Sequence, residues 1–187
     1  MRKALKTKEE IIQDLILVFR QNGFHGTTLT KLTEQTGLEK ASLYHYFPKG
    51  KNEMATVVLT SIIEDLSSKV LSLLKTDSPP RSKLKSMLFA IQDFYQGGTA
   101  LCFLTIFSVG KPNEKISQLL AQALTTWINT LSHVLEELGT KQSKQQSAFA
   151  ISTIQGSLIL AHLKNDPLLF QNSLSLLAES WSITDFK

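Results

Sequence analysis

The sequence predicts an all-α protein in two parts: an N-terminal three-helix domain with a helix-turn-helix, then a helical C-terminal domain, about nine helices in all. Three observations carry this. Apolar residues recur every three or four positions in segment after segment, the spacing that gives a helix one buried stripe. Glycine, proline and asparagine interrupt that period at intervals suited to helix ends. Residues Thr27 to Lys51 are short enough to hold only two brief helices around Gly37.

Taken in order, Ile12, Leu15, Ile16 and Phe19 place a helix over residues 8–22, stopped by Gln21, Asn22 and Gly23. The hydroxyls of Thr27 and Thr28 offer acceptors to the unpaired N–H groups of a second helix running to about Thr36. Gly37 breaks it. A third helix begins near Lys40 and must end at Phe47, because Pro48 lacks an N–H donor and disfavours helical geometry before it. Leu29, Leu32, Leu38, Leu43 and Phe47 lock these helices, which leaves Lys40, Ala41, Ser42, Tyr44, His45 and Tyr46 on the outer side of the third. Beyond Gly50, Met54, Val58, Ile62, Leu66, Val70 and Leu73 predict a long helix over 52–75 that ends before Ser78, Pro79 and Pro80. Further helices follow at 81–96, closed by Gly97 and Gly98, and at 114–138, capped by Gly139. The last two cover 143–164 and 167–182, separated by Asn165, Asp166 and Pro167. Ala100 to Val109 is apolar nearly all round and reads as a central buried helix, with a short buried strand as the other possibility. The domain boundary falls between residues 53 and 54, giving 1–53 and 54–187.

Charge is uneven. Net charge is +4, and residues 1–53 hold nine Lys or Arg against six Asp or Glu, so the excess is concentrated at the helix-turn-helix. Arg2, Lys3, Lys6 and Lys8 form a basic arm, and Lys49 and Lys51 flank Gly50 beside the third helix, where they can approach phosphates. A second, short helix presenting polar side chains next to lysines is the arrangement that enters a major groove of double-stranded DNA.

The stretch from Ile12 to Met54 resembles the N-terminal domain of TetR-family transcriptional regulators. The resemblance is carried by Phe19, Asn22-Gly23-Phe24, Thr27-Thr28, Thr36-Gly37-Leu38, Ser42-Leu43-Tyr44-His45-Tyr46-Phe47 and Lys51. Phe47-Pro48-Lys49-Gly50-Lys51, with its extra glycine, and Gly156-Ser157-Leu158 followed by Asp166-Pro167 are similar to the LmrA/YxaF-like branch. The resemblance implies a homodimer that places two recognition helices in successive major grooves, and a C-terminal domain whose ligand alters their spacing. It implies base or phosphate contacts from Tyr44 and His45, recognition-helix positions for Lys40, Ala41 and Ser42, supporting-helix positions for Thr28, Thr30 and Lys31, and a phosphate contact from Lys51. Thr33 and Thr36 depart from the common pattern and are expected to loosen the packing.

Met87, Ile91, Phe94, Phe103, Phe107 and Trp127 supply an apolar, aromatic lining for a small apolar or aromatic effector, although a stripe of this kind also suits a plain core. Gly156, Ser157 and Ala161, with Leu174, Leu177 and Trp181, are expected at the dimer interface, and they fit an intrachain core as well. The function expected is a repressor that binds a palindromic operator and is released by its ligand; a ligand-independent DNA-binding or nucleoid protein is the alternative. Catalysis is not expected, because His25, His45, His133 and His162 lie on separate segments without ligand spacing and Cys102 has no nearby histidine. No cofactor, metal or membrane span is expected, and a cytoplasmic location follows from the absence of a leader and of a long apolar run.

Overall fold

A computed structural model describes residues 6–108 and 113–186. Arg2 and Lys3 of the basic arm, and Val109 at the end of the apolar stretch, lie outside the described residues. Among those described, the chain forms nine α-helices and no strand: α1 (Lys8–Gly26), α2 (Leu29–Thr36), α3 (Lys40–Tyr46), α4 (Lys51–Lys69), α5 (Pro80–Phe94), α6 (Phe103–Ser108), α7 (Glu114–Glu137), α8 (Ser143–Lys164) and α9 (Leu168–Ser180). Two 3-10 turns, Leu71–Lys75 and Gln96–Gly98, complete it. The helices group into two compact units, one of residues 1–62 with 103–120 and one of residues 63–102 with 121–187.

In the first unit α1 is opened by a capping box that the residue pattern Thr7-Lys8-Glu9-Glu10 announces: Thr7 Oγ1 accepts the Glu10 N–H (3.2 Å) and the Glu10 carboxylate accepts the Thr7 N–H (2.7 Å). Such reciprocal caps satisfy two of the donors that a helix start leaves unpaired. The helix breaks at Gly23, as expected, and a last turn reaches Gly26. Ile11, Leu15, Val18 and Phe19 are buried along its inner face.

The stretch expected to be a buried helix over 100–109 is much shorter. Only Phe103–Ser108 is helical among the described residues, Ser108 is exposed, and Phe103, Ile106 and Phe107 form the buried side. The Phe107 ring packs on Phe19 of α1 at 5.6 Å between centroids. Phe103 and Phe107, expected in the effector lining, therefore belong to the core of the first unit. An apolar run shows how much of a helix is buried but not against which partner.

The second unit holds Met87 and Ile91 on α5 and Trp127 on α7, all fully buried, with Phe94 half-buried at the end of α5. Its elements are tied by Gln171, whose amide donates to the Gly97 carbonyl (3.1 Å), and by the Phe89 and Phe186 rings at 4.6 Å. Lys83, nearly buried, donates to both oxygens of Glu137 at 2.9 and 3.2 Å. The long helix expected over 52–75 ends at Lys69 and tightens into a 3-10 turn that buries Leu71 and Leu74 rather than Leu73. At three residues per turn, positions 71 and 74 fall on one face, which the 3.6-residue period does not anticipate.

Replacing Phe107 with alanine should destabilise the protein by about 3 to 5 kcal/mol, the cost of emptying a buried aromatic site. Urea denaturation measures this, and a loss of less than about 1 kcal/mol would show that the ring does not fill a core.

Candidate nucleic-acid interface

The supporting helix α2 starts where its sequence says it must. Thr28 is the N-cap, with extended backbone and Oγ1 accepting the Lys31 N–H at 3.3 Å. Thr27 does something else: it is buried and its hydroxyl donates to the Gly23 carbonyl at 2.7 Å, sealing the break in α1. At the other end Gly37 takes a left-handed conformation (φ 67°) and its N–H reaches the Thr33 carbonyl at 2.9 Å. A side chain at that φ is strained, so the turn between the two helices depends on glycine.

The two threonines expected to loosen this corner are both hydrogen-bonded. Thr36 is buried, but its hydroxyl donates to the Leu32 carbonyl (2.7 Å) and accepts the Leu38 N–H (3.3 Å). Thr33 donates to the Thr30 carbonyl at 2.7 Å. A buried hydroxyl is costly only when unpaired, and here both find local partners.

Seven residues of α3 follow, too few to be stable alone. They are held by Leu43 and Phe47, both fully buried, while Leu29 and Leu38 are half-buried at the corner. Phe47 leaves the helical region (φ −135°, ψ 76°), and Pro48 ends the helix as expected. The opposite side is open: Lys40, Ala41, Tyr44 and His45 are exposed, and Ser42 and Tyr46 are half-buried. The His45 and Tyr46 rings meet edge to face at 5.9 Å. Thr28, Thr30, Lys31 and Lys49 are exposed on the flanking segments.

The four lysines of this surface differ. Lys40 and Lys49 have no side-chain partner among the described residues, so their charges face solvent. Lys31 is turned back on its own domain, bonded to Asn22 Oδ1 and to the Gly26 carbonyl (3.1 Å). Lys51 is committed further. Its ammonium donates to the carbonyls of Phe24 and Thr27, both at 3.1 Å, and lies 4.7 Å from the centre of the Phe24 ring. Two of its three donors are used inside the fold, where the ammonium clamps the start of α4 to the α1–α2 corner. Of the basic arm, Lys6 pairs with Asp14 and Lys8 is exposed in the first turn of α1. Glu53, not singled out from the sequence, accepts the Lys49 N–H at 2.8 Å.

Residues 7–57 match the family model of bacterial regulatory proteins of the tetR family. Over almost its whole length the chain is 22% identical to the HTH-type transcriptional regulator LmrA of Bacillus subtilis, covering 96% of this chain and 95% of that one. An uncharacterised HTH-type transcriptional regulator of the same organism, YxaF, is also 22% identical over 87% of this chain and 90% of its own. The match to the tetR family covers the N-terminal domain, and the relatives that span nearly the whole chain are regulators of the helix-turn-helix type. The crystal structure of a TetR transcriptional regulator from Legionella pneumophila superimposes with a TM-score of 0.82 at 21% identity, covering 96% of this chain and 99% of that one, which extends the shared fold over both units. With a tetR-type N-terminal domain the protein is a DNA-binding transcriptional regulator, and the relatives it matches are regulators rather than enzymes. No helix among the described residues is long and apolar enough to cross a membrane.

The residues expected at a dimer interface fall on both sides of the last two helices. Ser157, Ala161, Leu174 and Leu177 are buried within the chain, and Trp181 is half-buried just past α9. The outward apolar residues of the same two helices are Phe149, Ile159, Leu160, Leu163, Leu168 and Leu176. Helix α8 is apolar on two faces: Ala150, Ile151, Ile154, Leu158 and Ala161 point inward, while Phe149, Leu160 and Leu163 are exposed. Gly156 is half-buried, with open space where a Cβ would stand. Helical spacing marks where the two helices run, but a two-faced helix gives no asymmetry from which to choose the outer face.

Lys51→Met, which keeps the aliphatic stem and removes the donors, should cost about 1 to 3 kcal/mol of stability by leaving two carbonyls without their charged partner. Urea denaturation tests the clamp, and unchanged stability would return Lys51 to a role at the surface.

Proposed function

We propose that the protein is a repressor that binds a palindromic operator as a homodimer and is released by a small apolar molecule. The observation that carries this reading is the exposed side of α3, where Lys40, Ala41, Tyr44 and His45 stand clear of the core on a helix of the TetR-family domain. In that reading Tyr44, His45 and Ser42 meet base edges or nearby phosphates, with Tyr46 at the margin. Thr28, Thr30, Lys40 and Lys49 fix the register on the backbone. Lys31 and Lys51 hold the corner that presents them.

Two such helices about 34 Å apart, one helical turn of the duplex, read two half-sites on one face. The second copy covers the apolar stripe of α8 and α9. Leu163 is 74% exposed, and its exposed apolar neighbours along these helices make a patch that a solvated monomer leaves at a cost in free energy. Gly156 lets the partner helix approach closely.

The effector reading rests on the second unit, where Met87, Ile91 and Phe94 supply apolar surface and Trp127 an indole N–H. That N–H is buried and has no acceptor among the described residues. An orphaned donor in an apolar interior is unfavourable, and a ligand carrying a carbonyl or ether oxygen would satisfy it. Helices α4 and α7 each run from one unit into the other, so occupancy of the second unit can bias the pose of the first. A differential affinity of about 1 to 3 kcal/mol between the two poses gives a 5 to 150-fold change in operator binding.

Selection of bound duplexes from the genomic DNA of the source organism, followed by footprinting, tests the reading directly: two protected half-sites related by a dyad are expected, and protection of a single site or none would overturn it. On the selected duplex, Lys40→Ala should weaken binding and reduce the slope of log affinity against log salt by about one unit. Leu163→Asp should give a monomer in sedimentation equilibrium and lose operator binding. A Leu163→Asp dimer with full affinity would move the interface elsewhere.

A further inference from the structure

The turn Phe47-Pro48-Lys49-Gly50-Lys51 carries a glycine that neither the reading helix nor the clamp explains. Gly50 is buried and left-handed (φ 65°). Its backbone is pinned on both sides. The N–H donates to the Phe47 carbonyl (2.9 Å), and the carbonyl accepts the N–H groups of Glu53 (3.0 Å) and Met54 (3.1 Å). The neighbouring Lys49 N–H is held by the Glu53 carboxylate. Against this fixed backbone lies the edge of Tyr44: a Cβ on Gly50 would stand 3.3 Å from Tyr44 Cε1, 3.7 Å from its hydroxyl oxygen and 3.9 Å from Cζ.

We propose that Gly50 is a positioning residue for DNA recognition, its bare backbone forming the seat on which the Tyr44 ring rests. Tyr44 is 42% exposed, so the rest of its surface is open to solvent, and an exposed tyrosine without a seat samples several rotamers. With one edge against a backbone that four hydrogen bonds hold still, the ring and hydroxyl are presented in one pose before DNA arrives. Ordering that is complete in the unbound protein is not charged against binding. The extra glycine thus serves twice, once for the left-handed turn into α4 and once for the ring above it. A Cβ would force the ring outward, because the pinned backbone cannot retreat.

The inference rests on Tyr44 meeting DNA, and the two are separated by measuring the seat without DNA. In the unbound full-length protein, the Gly50 Hα resonances should be displaced from ordinary glycine values by the Tyr44 ring current and return toward them in Tyr44→Leu; unchanged Hα shifts would overturn the seat. Asparagine tolerates φ > 0 but carries a Cβ, so Gly50→Asn keeps the turn and displaces the ring. On the genomically selected duplex it should lose about tenfold in affinity, the order of one specific contact, with the salt slope unchanged. Added to Tyr44→Leu, the same change should cost less than about twofold, because the residues then no longer share a contact. Equal losses in both backgrounds would overturn the proposal. Full affinity of Tyr44→Leu, with the Hα shift lost as expected, would also overturn the positioning role. Loss of binding by Lys40→Ala in that assay would show that α3 is still the reading element.

Discussion

The helix-turn-helix corner depends on one half-buried cation. Lys51 opens α4 and reaches back to two carbonyls that no helical N–H can satisfy, Phe24 in the last turn of α1 and Thr27 in the link to α2. Charge-assisted hydrogen bonds of this kind are among the stronger ones available to a protein, and the Phe24 ring beneath the ammonium adds to them. The consequence is geometric. Helix α3 is too short to hold itself, so its pose is set by what lies before and after it, and Lys51 fastens the segment after α3 to the segment before α2. The lysines left facing solvent, Lys40 and Lys49, stand on a frame that another lysine fixes.

That division separates cations tied into the fold from cations that face solvent. Lys31 and Lys51 are consumed by the fold and Lys6 by Asp14, although net charge counts all of them equally with Lys40 and Lys49. A basic balance in the first 53 residues therefore overstates the charge presented to a duplex. The same surface also carries the ring of Tyr44, the imidazole of His45 and the hydroxyl of Ser42, on a backbone whose turns are closed at Gly37 and Gly50.

Helices α8 and α9 show a related economy in the second unit. Their inner stripe builds an intrachain core through Ile154, Leu158, Phe170 and Leu174, and their outer stripe keeps large apolar side chains in water. The small residues Ser157 and Ala161, which suggested close approach of a second subunit, instead face the chain's own interior.

The sequence by itself determined the helical class, the HTH boundaries from Thr28 to Phe47, the break at Gly23, the C-terminal stop at Gly139 and the exposed side of α3, because caps, breakers and a single apolar stripe are local properties. Tertiary structure decided the rest. It showed that α6 is brief and that Phe107 packs on Phe19, that the chain tightens at Leu71–Lys75, which face of α8 is outermost, and that Lys51 is spent inside the fold. These outcomes share one cause. Each depends on which distant group a side chain meets, and the periodicity of a helix specifies how its residues face one another but not what stands opposite them.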